Sequence, residues 1–148
     1  MKENRMKQSI PLARFHLPIQ VRFADTDALG HVFFGSYFTF MDEAFLAYLA
    51  ELGYPWPTFT ERGLALFYVD SRCQFKGPSF FGDRLNVHAR IAKLATSSLT
   101  AEMTVVRDAD RKVVATGHIT AVQVDARTEK SSPLSDAFRQ AVTGYQAE

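Results

Sequence analysis

Residues 21–52 read VRFADTDALGHVFFGSYFTFMDEAFLAYLAEL, and the second half of that run decides the architecture. From Ser36 to Leu52 the stretch has the length of a helix, with Ser36 as a candidate N-cap and Gly53 followed by Pro55 as the stop. Its polar stripe is only Thr39, Asp42 and Glu43, with Glu51 near the end, so apolar groups cover most of the circumference. Such a helix must be enclosed, and its flanks supply the wrapping. Upstream, Ile19, Val21 and Phe23 alternate with Gln20 and Arg22, which predicts a strand over 19–23 with one wet face. Downstream, the aromatic and β-branched run 64–75, the alternating runs 85–91 and 98–106, and the β-rich run 112–124 after the turn-like DADR at 108–111 predict four more strands. Ser132-Pro133 opens a final helix over about 133–146. The order is that of an α+β domain: an antiparallel sheet of about five strands with one long apolar helix on a single face.

The 148 residues form one domain by length, enough to bury a core. Lys+Arg number 17 against Asp+Glu 16, which excludes a strongly basic nucleic-acid footprint, and the apolar share of 47% excludes a disordered chain. No stretch approaches ~18 uninterrupted apolar residues and the N-terminus lacks an apolar signal core, so the expectation is a soluble, cytoplasmic protein with no membrane partner. A single cysteine, Cys73, lies inside an apolar strand and reads as an inert buried thiol.

The segment FADTDALGHVFFGSYFTFMDEA resembles the signature of the hotdog-fold acyl-CoA thioesterases of the 4-hydroxybenzoyl-CoA thioesterase family, in which Asp-x-Asp-x-x-Gly leads into a central helix. GYPWPTFTERG at 53–63, Gly82-Asp83 and LATSSLTAEMTV at 94–105 resemble later landmarks of that family in the same order. The resemblance covers about residues 18–125, leaving 1–17 as an N-terminal tail of a single hotdog domain. It implies a sheet wrapped around the helix, hydrolysis of an acyl-CoA or aryl-CoA thioester, no cofactor beyond the CoA of the substrate, and a homodimer or dimer of dimers. Phe33 and Phe34 stand where many relatives have Asn, and Phe45 where many have Arg, which points to an apolar acyl or aryl pocket.

Thioester hydrolysis needs a carboxylate to attack the carbonyl or activate water, and donors for the charge that develops on the carbonyl oxygen. Asp27 matches the family's catalytic Asp, as nucleophile or general base. Backbone amides at the helix start, those of Phe34 and Gly35, are the natural oxyanion donors. His31 either assists in proton transfer or holds the turn, and Asp25 either caps the turn or pairs with Arg22. Phe33, Tyr37, Asp42 and Tyr68 are the expected substrate-binding residues, with Asp42 able to accept from a substrate hydroxyl. Lys93, Thr96, Ser97 and Ser98 are the expected CoA contacts. Asp25, Asp27 and His31 lack the neighbouring ligands a metal site needs, so none is expected. A hydratase or dehydratase acting on acyl thioesters, and a non-catalytic acyl-CoA-binding module, remain as alternatives.

Overall fold

The computed structural model describes residues 11–147. Five strands, β1 (Phe15–Gln20), β2 (Leu64–Phe75), β3 (Arg84–Leu94), β4 (Ser98–Arg107) and β5 (Val113–Asp125), form one sheet in the order β1-β3-β4-β5-β2 with every pair antiparallel. Helix α1 (Ser36–Glu51) packs on one face, against β1, β2, β3 and β5. Helices α2 (Trp56–Glu61) and α3 (Asp136–Gln146) flank it. No helix among the described residues is long and apolar enough to cross a membrane.

The α1 positions Met41, Ala44, Phe45, Tyr48 and Leu49 are wholly buried, and the inward residues of β3 and β4, Leu85, Val87, Ala101 and Val105, meet them. Burying each large apolar side chain contributes about 1.5–3 kcal/mol, so this stripe dominates the stability of the domain. Close approach depends on Gly117 of β5. A Cβ there would lie 2.4 Å from the Arg72 carbonyl oxygen and 2.7 Å from the Met41 sulfur. The other face of the sheet is polar. Arg90 pairs with Glu102 at 3.0 Å, and the Thr100 and Thr120 hydroxyls lie 3.1 Å apart.

Three boundaries differ from the sequence expectation. The first strand runs over 15–20, not 19–23, because the chain leaves the sheet at Val21 and tightens into a 3-10 turn over Phe23–Asp25. Residues 15–17 of the expected tail are therefore sheet, while residues 1–10 lie outside the described residues. Gly35, not Ser36, caps α1, and the Ser36 hydroxyl donates instead to the Asp25 carbonyl at 3.0 Å. Helix α3 starts three residues late, at a cap made by Ser135, whose hydroxyl accepts from the Phe138 amide at 3.1 Å. Near the end of α3, the Gln146 side chain pairs with both backbone groups of Ile91, accepting from its N–H at 2.7 Å and donating to its C=O at 2.9 Å, while Tyr48 of α1 donates to the same Gln146 oxygen.

Candidate functional site

Between β1 and α1 the chain makes a small hairpin, closed by a bridge between Thr26 and Val32. The Asp27 amide donates to the His31 carbonyl at 2.9 Å, and the Gly30 amide donates back to the Asp27 carbonyl at 3.0 Å. Gly30 has φ +78°, a left-handed conformation that a Cβ would penalise. Asp27 is exposed on this hairpin. One of its oxygens, Oδ1, accepts from the Leu29 amide at 2.9 Å, and Oδ2 has no hydrogen-bond partner among the described residues.

Asp25 is built differently. It is buried, and accepts from the Arg22 amide at 2.8 Å and from the Arg22 guanidinium at 2.9 and 3.2 Å. Those guanidinium bonds hold its carboxyl below the usual carboxylate range, against the opposing effect of burial. Asp25 does both things expected of it: its carboxylate caps the 3-10 turn through the Arg22 amide and pairs with the Arg22 guanidinium. Because it lies in the 3-10 turn, it shares no strand face with Asp27.

The Asp25 carbonyl ties the hairpin to the helix by accepting from the Phe33 amide at 2.8 Å and from the Ser36 hydroxyl. The amides of Ser36, Tyr37 and Phe38 turn back onto the carbonyls of Phe33, Phe34 and Gly35 at 2.9, 3.3 and 3.2 Å. The amides of Phe34 and Gly35 have no acceptor among the described residues, which leaves two donors at the positive end of the α1 dipole. Gly35 also gives room to Phe33, whose ring comes within 2.7 Å of where a Cβ would be.

Aromatic rings surround this junction. Phe33 and Phe34 are 44% and 61% exposed and lie 4.6 Å apart, and Phe34 meets Phe75 of β2 edge-on at 6.3 Å. The His31 ring stands edge-on to Phe80 at 5.1 Å. Tyr37 is buried beneath the junction, its hydroxyl donating to Ser79 at 3.2 Å, so it supports the site from below instead of lining it.

Alongside α1 runs a groove of about 680 Å³ lined by Asp42, Leu46, Trp56, Leu66, Phe67, Tyr68 and Val69. Tyr68 donates its hydroxyl to Asp42 Oδ1, and burial, reinforced by the carboxylate, pushes the phenol well above its ordinary pKa. The phenol therefore stays neutral and donates to Asp42 Oδ1, and Asp42 Oδ2 has no hydrogen-bond partner among the described residues. Asp42 stands six residues along α1 from Ser36, a rise of about 9 Å. Leu46, Trp56 and Phe67 were not among the residues singled out from the sequence. Trp56, 40% exposed beside two prolines, was the available signal.

The expected CoA contacts are elsewhere. Lys93, Thr96, Ser97 and Ser98 lie at the β3–β4 turn, whereas the hairpin touches the chain at Ser79 and Phe80, before β3 begins. The length of β3, roughly 30 Å, separates them within one chain. That turn is braced by Arg139 of α3, which donates to the Ala95 carbonyl at 2.5 Å and the Thr96 carbonyl at 3.0 Å. Cys73 is half-buried on β2 and its thiol is pushed up by burial, away from reactivity. Among the described residues no group of three or more His, Cys, Asp or Glu could hold a metal ion.

The chain is similar to known proteins over most of its length. A putative esterase of Aquifex aeolicus is 31% identical over 81 residues, which are 55% of this chain and 63% of that one. A 1,4-dihydroxy-2-naphthoyl-CoA hydrolase of Synechococcus elongatus is 26% identical over 130 residues, covering 86% of this chain and 94% of the relative. The structure of a gentisyl-coenzyme A thioesterase superposes with a TM-score of 0.79 at 30% identity, covering 86% of this chain and 99% of that one. Residues 21–142, from the hairpin to α3, match the family model described as the Thioesterase-like superfamily, and the chain belongs to that superfamily.

Proposed function

We propose that the protein hydrolyses an aryl-CoA thioester carrying a ring hydroxyl, of the 4-hydroxybenzoyl-CoA kind, to the free acid and CoA. The observation that carries this reading is the coincidence, on one hairpin and the helix start it leads into, of a carboxylate oxygen without a partner, Asp27 Oδ2, and two unbonded amides, those of Phe34 and Gly35. The carboxylate attacks the thioester carbon or takes a proton from the attacking water, and the amides hold the oxyanion. The departing CoA thiolate is a good leaving group, since a thiol has a pKa of about 8.5, and needs no strong acid. His31, edge-on to Phe80, positions the turn.

The groove beside α1 fits the acyl part. With the carbonyl at the helix start, a ring lying along the first turns of α1 points its hydroxyl toward Asp42 Oδ2, with Tyr68 fixing the carboxylate. Two relatives whose names specify hydroxylated aryl-CoA substrates support that choice. The groove opens along the edge strand β2, so a second copy would close it. We infer a homodimer, with a dimer of dimers as the next step, in which the β3–β4 turn of the partner is the way Lys93, Thr96, Ser97 and Ser98 could reach the CoA. The unreactive thiol suits the cytoplasm.

The test is a panel of 4-hydroxybenzoyl-CoA, benzoyl-CoA, short-chain and long-chain acyl-CoA read by released thiol, with enoyl absorbance followed in parallel. Hydroxybenzoyl-CoA should turn over best. Enoyl absorbance changing without thiol release would replace the reading by a hydratase, and ligand-induced stabilisation without turnover would replace it by a binding module.

A further inference from the structure

We propose that the cleft enclosed by α2, the start of β2 and α3 is a second binding site, separate from the thioester groove, for a small aromatic acid bearing a hydroxyl group. The cleft has a volume of about 190 Å³ and is bounded by Tyr54, Phe59, Leu64, Pro133 and Phe138. Its aromatic walls are set at right angles, with the Tyr54 and Phe138 rings 5.1 Å apart at 89°. A flat ring fits such a space, whereas a CoA thioester is far too large for it.

Two polar groups define what else the occupant must carry. Gln123 of β5 lines the cleft and is only 5% exposed. Its Nε2 donates to the Ser132 and Pro133 carbonyls at 3.3 and 3.0 Å, which fixes the orientation of the amide. No donor reaches its Oε1 among the described residues. No buried side-chain oxygen or nitrogen among the described residues is left without a partner, so this Oε1 is an acceptor open to the solvent of the cleft, and a ring hydroxyl of the occupant would take the place of that solvent. At the rim, Arg62 has its guanidinium carbon 5.8 Å from the Tyr54 ring and makes no ion pair or side-chain hydrogen bond among the described residues. An anionic end matches it, and a carboxylate takes the bidentate geometry that guanidinium favours.

The two cavities share a wall. Trp56 of α2 lines the thioester groove and Phe59 of α2 lines the cleft, with their rings 6.0 Å apart, and β2 contributes Leu64 to the cleft and Leu66 to the groove. Occupation of the cleft therefore bears on α2 and on the groove's far side. The ligand class is read from the lining of the cleft alone and holds whichever thioester the groove accepts.

The experiment is a chemical-shift titration of the full chain with 4-hydroxybenzoate, followed at the amides of Phe59, Arg62 and Phe138 and at the Gln123 side chain. Saturable shifts at these positions are expected. Benzoate, which lacks the donor, and 4-hydroxybenzamide, which lacks the charge, should each bind at least ~10-fold more weakly. Arg62→Gln, a change at an exposed position, should weaken 4-hydroxybenzoate by a similar factor and leave 4-hydroxybenzamide unaffected. Shifts confined to Leu46, Trp56 and Tyr68, absence of saturation at the cleft, or equal affinity for the three probes would overturn the site. Failure of the chain to hydrolyse any thioester would leave this titration interpretable as it stands.

Discussion

The two edges of the sheet are not equivalent. β1 is six residues long, contains Pro18, and turns His16, Pro18 and Gln20 to solvent. Proline has no N–H to offer a neighbouring strand, so this edge is blunted by a common device of edge strands. β2 is twice as long, contains no proline, and exposes Phe67, Tyr68, Val69 and Phe75. It ends beside Phe34 at the helix start. The contrast teaches that one edge of the sheet is blunted while the other is long and exposes apolar side chains, and that the second edge carries the proposed chemistry.

Five substitutions can break or sharpen this contrast. Asp27→Asn should have the largest effect, lowering kcat at least ~100-fold with fold and sedimentation unchanged, since the amide is isosteric but cannot attack or deprotonate water. Near-wild-type turnover would remove the site from the β2 side altogether, and His31→Ala should cost clearly less. Next, Val69→Lys places a charge on the long apolar edge and should shift the protein toward its 16.6 kDa monomer with a parallel loss of activity, about 10-fold. Gln20→Lys on the blunted edge should change neither property, and equal effects would abolish the distinction. Tyr68→Phe should raise KM for the hydroxylated aryl thioester about 3- to 10-fold and leave the unsubstituted one nearly unaffected, because it loosens Asp42 without altering the groove's shape.

The smallest effect is a pH dependence. Asp25 has a carboxyl pKa lowered chiefly by its hydrogen bond from Arg22, so the stability it contributes is present above the unfolded value of about 3.9 and is lost as pH falls through the folded one. Thermal unfolding of Asp25→Asn should be less steep in acid than that of the wild type, at a lower neutral Tm. A wild-type curve no steeper than the variant's below pH ~4 would show that Arg22 does not hold this carboxylate.

Where periodicity speaks, the sequence was legible. β3 and β4 were read to within a few positions because their faces alternate in polarity, whereas β2, read to the residue, and β5, read to within one, were legible from aromatic and β-branched composition. β1 was displaced because Pro18 obscured an alternation that already begins with Phe15 and Leu17, while Phe23, which appeared to extend it, is 79% exposed in the turn. α2 was missed because six residues give no helical period, and its prolines read as loop. At the site, Asp27 and the helix start could be named from spacing and chemistry. The groove could not, since Leu46, Trp56 and Phe67 meet only through the packing of three separate elements.

The pairing of Gln146 with Ile91 carries a dynamic consequence. β1 faces β3 only as far as Phe15 opposite Ala89, so beyond that point the Ile91 amide has no strand on the side away from β4, and a side chain from the last helix completes the ladder in its place. The exchange of that amide with solvent deuterium should then report the opening of α3, not of the sheet. With Tyr48 anchored on the same oxygen, Gln146 ties the last turn of α3 to α1 and β3, beyond the part of the helix held by the buried Phe138 and Val142. Cutting that tie by Gln146→Ala would let the last turn of α3 fray while the remainder of the sheet stays slow to exchange.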